Sequence, residues 1–176
     1  EGSLMITLLK HCDRVRSASR AQLVNVIAPI MAEEHGPAWR QTTFYPFAEA
    51  ALHARGQAYA PAISSPTIHT EAYGDVPAID AVVTWDEQAR TGLLLAVNRD
   101  ANTLTIDLSG LPGLPGLGTL ALGKAQLLHE DDPYRTNTAE APEAVTPQPL
   151  DIAMNATGTC TATLPAISWI SVEFHG

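Results

Sequence analysis

Two periodicities divide the chain. In the opening stretch Leu4, Leu8, Leu9, Cys12, Val15 and Ala18 recur at helical spacing, while Lys10, Asp13, Arg14 and Arg16 fall on other faces, so one stripe is buried and the rest is wetted. Residues 23–30 are apolar at every position except Asn25, which is the pattern of a parallel strand covered on both faces. Phe44, Phe47, Ala48, Ala51 and Leu52 then predict a second helix, with Pro46 tolerated in its first turn and Gly56 as its stop. Helix, strand, loop and helix in that order form the last unit of an α/β repeat, and such a unit cannot bury its own strand without neighbours.

After Gly56 the helical period gives way to short runs punctuated by Pro, Gly, Asn and Asp. Strands are predicted at 79–85, 93–98, 103–108, 119–128, 150–154, 159–164 and 168–174, a spacing that suits an antiparallel sandwich. Residues 86–92 and 98–102 read as hairpin loops. A tandem Leu-Pro-Gly loop spans 111–116, and 131–149 is a long irregular connection rich in Pro, Thr and acidic residues. The expected fold class is thus α/β plus all-β, divided into residues 1–56 and residues 57–176.

Charge and length narrow the function. A formal charge of −9 with only 10 Lys and Arg argues against nucleic-acid or anionic-membrane partners, because no stretch concentrates basic residues. No run approaches the ~20 apolar residues of a membrane span. A complete (β/α)₈ barrel needs roughly 250 residues, so a chain of 176 with a strand-rich second half reads as the tail of a longer polypeptide. Cys12 and Cys160 suit a reducing compartment better than a disulfide framework. With no CxxC pair and no helical His pair, the sequence predicts no metal site, and His129 beside Glu130, Asp131 and Asp132 reads as a solvated acidic loop. Asn155-Ala156-Thr157 spells a glycosylation triplet.

The loop after the predicted strand carries the candidate chemistry. Gln41 offers both donor and acceptor to the hydroxyls of a polar ligand, and Trp39 offers a ring face on which an apolar ligand face packs. Each also has a structural alternative, Gln41 as a cap for the following helix and Trp39 as a core or interdomain aromatic. Arg40 suits loop fixing, since a neutral ligand gives it no charge to meet. Asn25 must find partners within its strand, as a hydrogen-bond hub or a support for the site. A carboxylate pair that shares acid/base and nucleophile roles needs two carboxyl groups about 5 Å apart. Glu33 and Glu34 do not qualify, because adjacent side chains on extended backbone point to opposite sides.

The run from Asn25 to Met31 followed by Gly36-Pro37-Ala38-Trp39-Arg40-Gln41-Thr42 resembles the end of the catalytic barrel in the α-L-arabinofuranosidases of glycoside hydrolase family 51. Asp13-Arg14-Val15, Val97-Asn98-Arg99-Asp100, Asn137-Thr138 and Leu164-Pro165-Ala166-Ile167-Ser168-Trp169 extend the similarity in order along the chain. Ala32-Glu33-Glu34-His35 departs from the family's usual Thr-Glu-x-Gly at the same place.

The resemblance implies that residues 1–56 close a (β/α)₈ TIM barrel as its last helix-strand-helix, and that residues 57–176 form a jelly-roll-like β-sandwich docked on it. It implies an intact enzyme that removes terminal α-L-arabinofuranosyl units from arabinan, arabinoxylan and arabino-oligosaccharides with retention. The catalytic glutamates would lie on earlier strands, so no catalytic residue is expected here, and Gln41 and Trp39 are the expected substrate-binding residues. The resemblance further implies no cofactor, cytoplasmic location, a homo-oligomer, and a barrel remainder in the same or a partner chain. The competing reading is a noncatalytic β-sandwich module that binds carbohydrate or protein.

Overall fold

The computed structural model describes residues 1–110, 121–154 and 160–176. The tandem Leu-Pro-Gly loop and the Asn155-Ala156-Thr157 triplet fall outside them. The largest element is a six-stranded antiparallel sheet. Its centre is the hairpin of β6 (Ile79–Asp86) and β7 (Thr91–Asn98), followed by β13 (Ser168–His175) and β9 (Ala121–Leu128), with the short strands β3 (Gln57–Tyr59) and β10 (Gln148–Pro149) at the two edges. A three-stranded sheet, ordered β11 (Ile152–Met154), β12 (Cys160–Leu164), β8 (Leu104–Asp107), faces it.

Alternation along the central strands sorts side chains between two cores. Ile79, Ala81, Val83, Trp85, Leu94, Ala96, Ile170, Val172 and Phe174 point toward the small sheet and meet Ala162 and Leu164 there. The intervening Val82, Leu93, Leu95, Val97 and Trp169 point the other way and are covered by two helices, α1 (Gly2–Lys10) and α2 (Phe44–His53). Both faces of the large sheet are therefore covered along β6, β7 and β13, which explains why these strands read as nearly continuous apolar runs.

The seven predicted strands are present, with small shifts at their ends. The 86–92 turn is a hairpin in which Asp86 Oδ1 accepts from the Gln88 and Ala89 amides at 2.9 and 3.0 Å. The 98–102 turn is different: it carries the chain from one sheet to the other, since β7 pairs with β6 and β13 whereas β8 pairs with β12. Asn98, 2% exposed, anchors that crossing by donating from Nδ2 to the carbonyls of Asn102, Leu164 and Pro165.

The first fifty residues require larger corrections. Residues 23–30 are not a strand. Asn25 and Val26 adopt φ of 63° and 59°, which an extended strand cannot hold, and only an isolated parallel bridge joins Val24 to Ile30. Strand pairing begins instead at β1 (Ile30–Ala32), a hairpin with β2 (Ala38–Arg40). The helix-strand-helix end of a barrel is therefore not seen as such in this chain. The physical reason is that a two-faced parallel strand depends on ladder partners on neighbouring strands.

The first helix also ends early, at Lys10, and its buried residues are Gly2, Met5 and Ile6; Leu8 and Leu9 of the predicted stripe pack partly against the same core, while Leu4 is 52% exposed. Gly2 makes this approach possible, since a Cβ there would collide with the Trp169 ring. On α2, Phe47, Ala50 and Ala54 face the sheet while Leu52 turns outward. Gly56 follows at φ +76°, seated against the Trp85 carbonyl where a Cβ has no room. A further hairpin, β4 (Thr67–Thr70) with β5 (Gly74–Pro77), completes the described elements.

Candidate functional site

The predicted loop is organised by a residue to which the sequence reading gave no chemical role. Asn137, 1% exposed, lies in the 131–149 connection, and its side chain clamps two segments. Its Nδ2 donates to the Arg40 carbonyl at 2.8 Å and the Val145 carbonyl at 2.9 Å, and its Oδ1 accepts from the Val145 amide at 2.7 Å. Its own carbonyl accepts from Trp39 Nε1 at 3.0 Å and from Gln41 Nε2 at 3.2 Å. The long connection is thereby fastened across β2 and the entry to α2. A buried amide with every donor and acceptor engaged in this way holds one geometry. The usable sequence signal was the Asn137-Thr138 pair, which is part of the resemblance but was given no role there.

Gln41 and Trp39 are brought together, both half-buried, on the same carbonyl. Gln41 also holds its backbone in place, donating its amide to the Pro29 carbonyl at 2.8 Å and accepting from the Phe44 amide at 2.9 Å. The cap on α2 is thus made by the Gln41 backbone, while its side chain reaches sideways to Asn137. Its Oε1 accepts no hydrogen bond among the described residues and remains able to take one from a hydroxyl.

Arg40 stacks its guanidinium over the Phe44 ring at 5.0 Å, a loop-fixing contact. Phe44 in turn meets Tyr45 edge-on, with centroids 5.8 Å apart. Burial raises the pKa of Tyr45 above its ordinary value; Arg40 opposes this, Glu143 adds to it, and a hydrogen bond with Asn137 opposes it.

Asn25 closes the preceding loop: its amide donates to the Ile30 carbonyl, its carbonyl accepts from Ala28, and its Oδ1 accepts from the Ala32 amide, all at 2.8–2.9 Å. Glu33 and Glu34 are exposed in the turn between β1 and β2, where Glu34 pairs loosely with His35 at 3.7 Å. His129 pairs with Asp131 at 3.2 Å, and Arg135 with Glu130 at 3.3 Å. A cleft of about 390 Å³ opens beside α1 and the start of α2, and an apolar one of about 940 Å³ lies between the two sheets. Neither is lined by Gln41 or Trp39. Trp85 and Trp169, 6% and 5% exposed, are buried in the two cores.

Comparison with known proteins converges on one family. The model of the alpha-L-arabinofuranosidase C-terminal domain matches residues 1–168. An intracellular exo-alpha-(1->5)-L-arabinofuranosidase of Bifidobacterium longum is 98% identical over all of this chain, which covers 32% of that protein. An exo-alpha-(1->6)-L-arabinofuranosidase of the same organism is 47% identical over 98% of the chain and 33% of its own length.

Among solved structures, a family 51 alpha-L-arabinofuranosidase from Bifidobacterium longum superposes with a TM-score of 0.88 at 93% identity, covering 99% of this chain and 34% of the other. The family 51 enzyme of Thermotoga petrophila shares the fold at 22% identity, with a TM-score of 0.79 over 97% of this chain and 36% of its own. The chain spans about a third of the length of these relatives. Matched along nearly its whole length by the domain model, this chain belongs to the C-terminal domain family of the family 51 α-L-arabinofuranosidases.

Proposed function

We propose that this chain is the C-terminal part of a retaining exo-α-L-arabinofuranosidase that hydrolyses terminal arabinofuranosyl units of arabinan, arabinoxylan and arabino-oligosaccharides. The observation that carries the reading is the 98% identity, over the entire chain, to an enzyme named for that activity. Two carboxyl groups about 5 Å apart perform such a cleavage; they belong to the portion of the protein outside this chain. The name of the same relative includes "intracellular", which supports a cytoplasmic location, and a homo-oligomer remains part of the proposal.

In this reading residues 1–56 complete the barrel and residues 57–176 form the sandwich. Support comes from the outward side of the first segment, where Leu4, Leu23, Val24, Val26, Ile27 and Leu52 are all exposed. A helix with apolar residues on both sides belongs between two partners, and α1 has the sheet on one side only. The rest of the barrel, in the same or a partner chain, would take the other.

Gln41 and Trp39 are proposed as substrate-binding residues at the pocket rim. Asn137 holds their N–H groups, which leaves Gln41 Oε1 and the half-exposed Trp39 ring to meet a sugar. The test is hydrolysis of 4-nitrophenyl α-L-arabinofuranoside. The full-length protein is expected to turn it over, Gln41→Ala is expected to lower kcat/KM at least about tenfold, or ~1.4 kcal/mol, and the 176-residue chain alone is expected to be inert. Turnover by the chain alone overturns the placement of the catalytic acids, and an unchanged kcat/KM in Gln41→Ala removes that residue from the site.

A further inference from the structure

Glu49 and His53 are one turn apart on α2, so their side chains share a face. On β13, Ile170, Val172 and Phe174 point into the core between the sheets, which turns Glu173 toward the helices. One ligand atom from each of Glu49, His53 and Glu173 lies within 4.8 Å of the other two.

A second observation concerns Glu49 alone. It is 9% exposed, its Oε1 is buried without a hydrogen-bond partner, and its other oxygen accepts only a 3.3 Å bond from Gln126 Nε2. Among the described residues no Lys or Arg pairs with Glu49 or Glu173. A buried carboxylate oxygen that lacks a donor, beside a second carboxylate, is unfavourable unless positive charge is supplied.

We propose that Glu49, His53 and Glu173 form a binding site for a divalent transition-metal ion of the zinc class. Two carboxylates and one imidazole make a three-ligand set of the kind that takes Zn²⁺ with water in its fourth position. The site has too few oxygens for Ca²⁺. Gln126 holds Glu49 from behind and also donates to Ser171 Oγ at 3.4 Å, the supporting role that orients a metal's ligands. His53 is exposed and gives the ion its entry. The bound ion pins the last turn of α2 to β13, joining the helical layer to the sheet. The sequence reading expected no metal site: Glu49 and His53 share a helical face, but the third ligand arrives from the last strand, which sequence spacing could not reveal.

The test is calorimetric titration of the chelator-treated full-length protein with ZnCl₂, with CaCl₂ and MgCl₂ as parallel arms, together with the melting temperature in each salt. Because binding is read directly, the outcome is independent of whether the protein hydrolyses arabinofuranosides. The expected result is one Zn²⁺ per chain and a raised Tm, with Ca²⁺ and Mg²⁺ bound more weakly. His53→Ala, at an exposed position, and Glu173→Gln are each expected to weaken Zn²⁺ at least tenfold, and Gln126→Ala about tenfold. Absence of Zn²⁺ binding, preference for Ca²⁺, or unchanged affinity and stoichiometry in His53→Ala overturns the proposal. If Glu173→Gln fails to fold, the His53→Ala titration decides.

Discussion

Residues 93–97 and residues 23–30 both read as apolar runs, the second broken only by Asn25, and end in opposite environments. Leu93, Leu94, Leu95 and Ala96 are each at most 4% exposed, whereas Leu23, Val26 and Ile27 are 73%, 80% and 65% exposed. The first run lies between β6 and β13, under helices on one side and a second sheet on the other, all supplied by this chain. Among the described residues, the second has only the Val24–Ile30 bridge before Ile30 enters the β1–β2 hairpin. A continuous apolar run reports that two covering faces are needed, and says nothing about which polypeptide provides them.

The sharpest way to break this comparison is to empty the well-covered side. Phe174 is fully buried and stacks on Trp85 with centroids 5.9 Å apart, so Phe174→Ala is expected to destabilise the chain by about 3–5 kcal/mol in urea unfolding. A loss below ~1 kcal/mol would mean that the sheets do not pack as described. Asn137→Ala should have the next largest effect, about 1–3 kcal/mol, because it leaves the Val145 amide and two carbonyls without their partner. The same substitution should increase hydrogen exchange in residues 38–41, and an unaltered exchange pattern would remove Asn137 as the clamp.

Ile27→Ser sharpens the contrast from the exposed side. In the 176-residue chain it is expected to change stability by no more than ~0.5 kcal/mol. In the full-length protein, where the proposed barrel covers this segment, about 1–3 kcal/mol is expected. Equal small effects in both would show that residues 23–30 stay uncovered.

The smallest effect concerns Tyr45. Its pKa is raised, chiefly by burial, so the folded chain keeps the phenolic proton to higher pH than the unfolded chain does. The resulting stabilisation is complete below pH ~10 and is lost as pH rises through the folded-state value. Ultraviolet titration should show one late-ionising tyrosine that disappears in Tyr45→Phe; identical titrations would refute the assignment.

Much of the sandwich was legible because its strands obey local rules. Asp86 followed by polar residues makes a turn, and the apolar runs on both sides of it have the length of strands. The short strands β1, β2, β3, β4, β5 and β10 were missed, since two to four residues give too little alternation to separate strand from loop. On α1 apolar residues lie on more than one side, so the sequence picked out Leu8 and Leu9 but not Met5 and Ile6, which are the most buried against the sheet. Around the site, Trp39, Arg40 and Gln41 were visible as a cluster of chemistry; Asn137 was visible only as part of the resemblance and not as a clamp, because a hydrogen-bond hub is defined by the carbonyls it reaches across the fold.

Periodicity and turn residues thus settled where the longer strands of the sandwich lie, since these depend on neighbours a few positions away. The close of residues 39 and 41 on the Asn137 carbonyl, the seating of Gly2 against Trp169, and the meeting of Glu49 and His53 with Glu173 were decided by packing alone. Each depends on contacts between residues remote along the chain, and one-dimensional spacing carries no information about distances closed by burial.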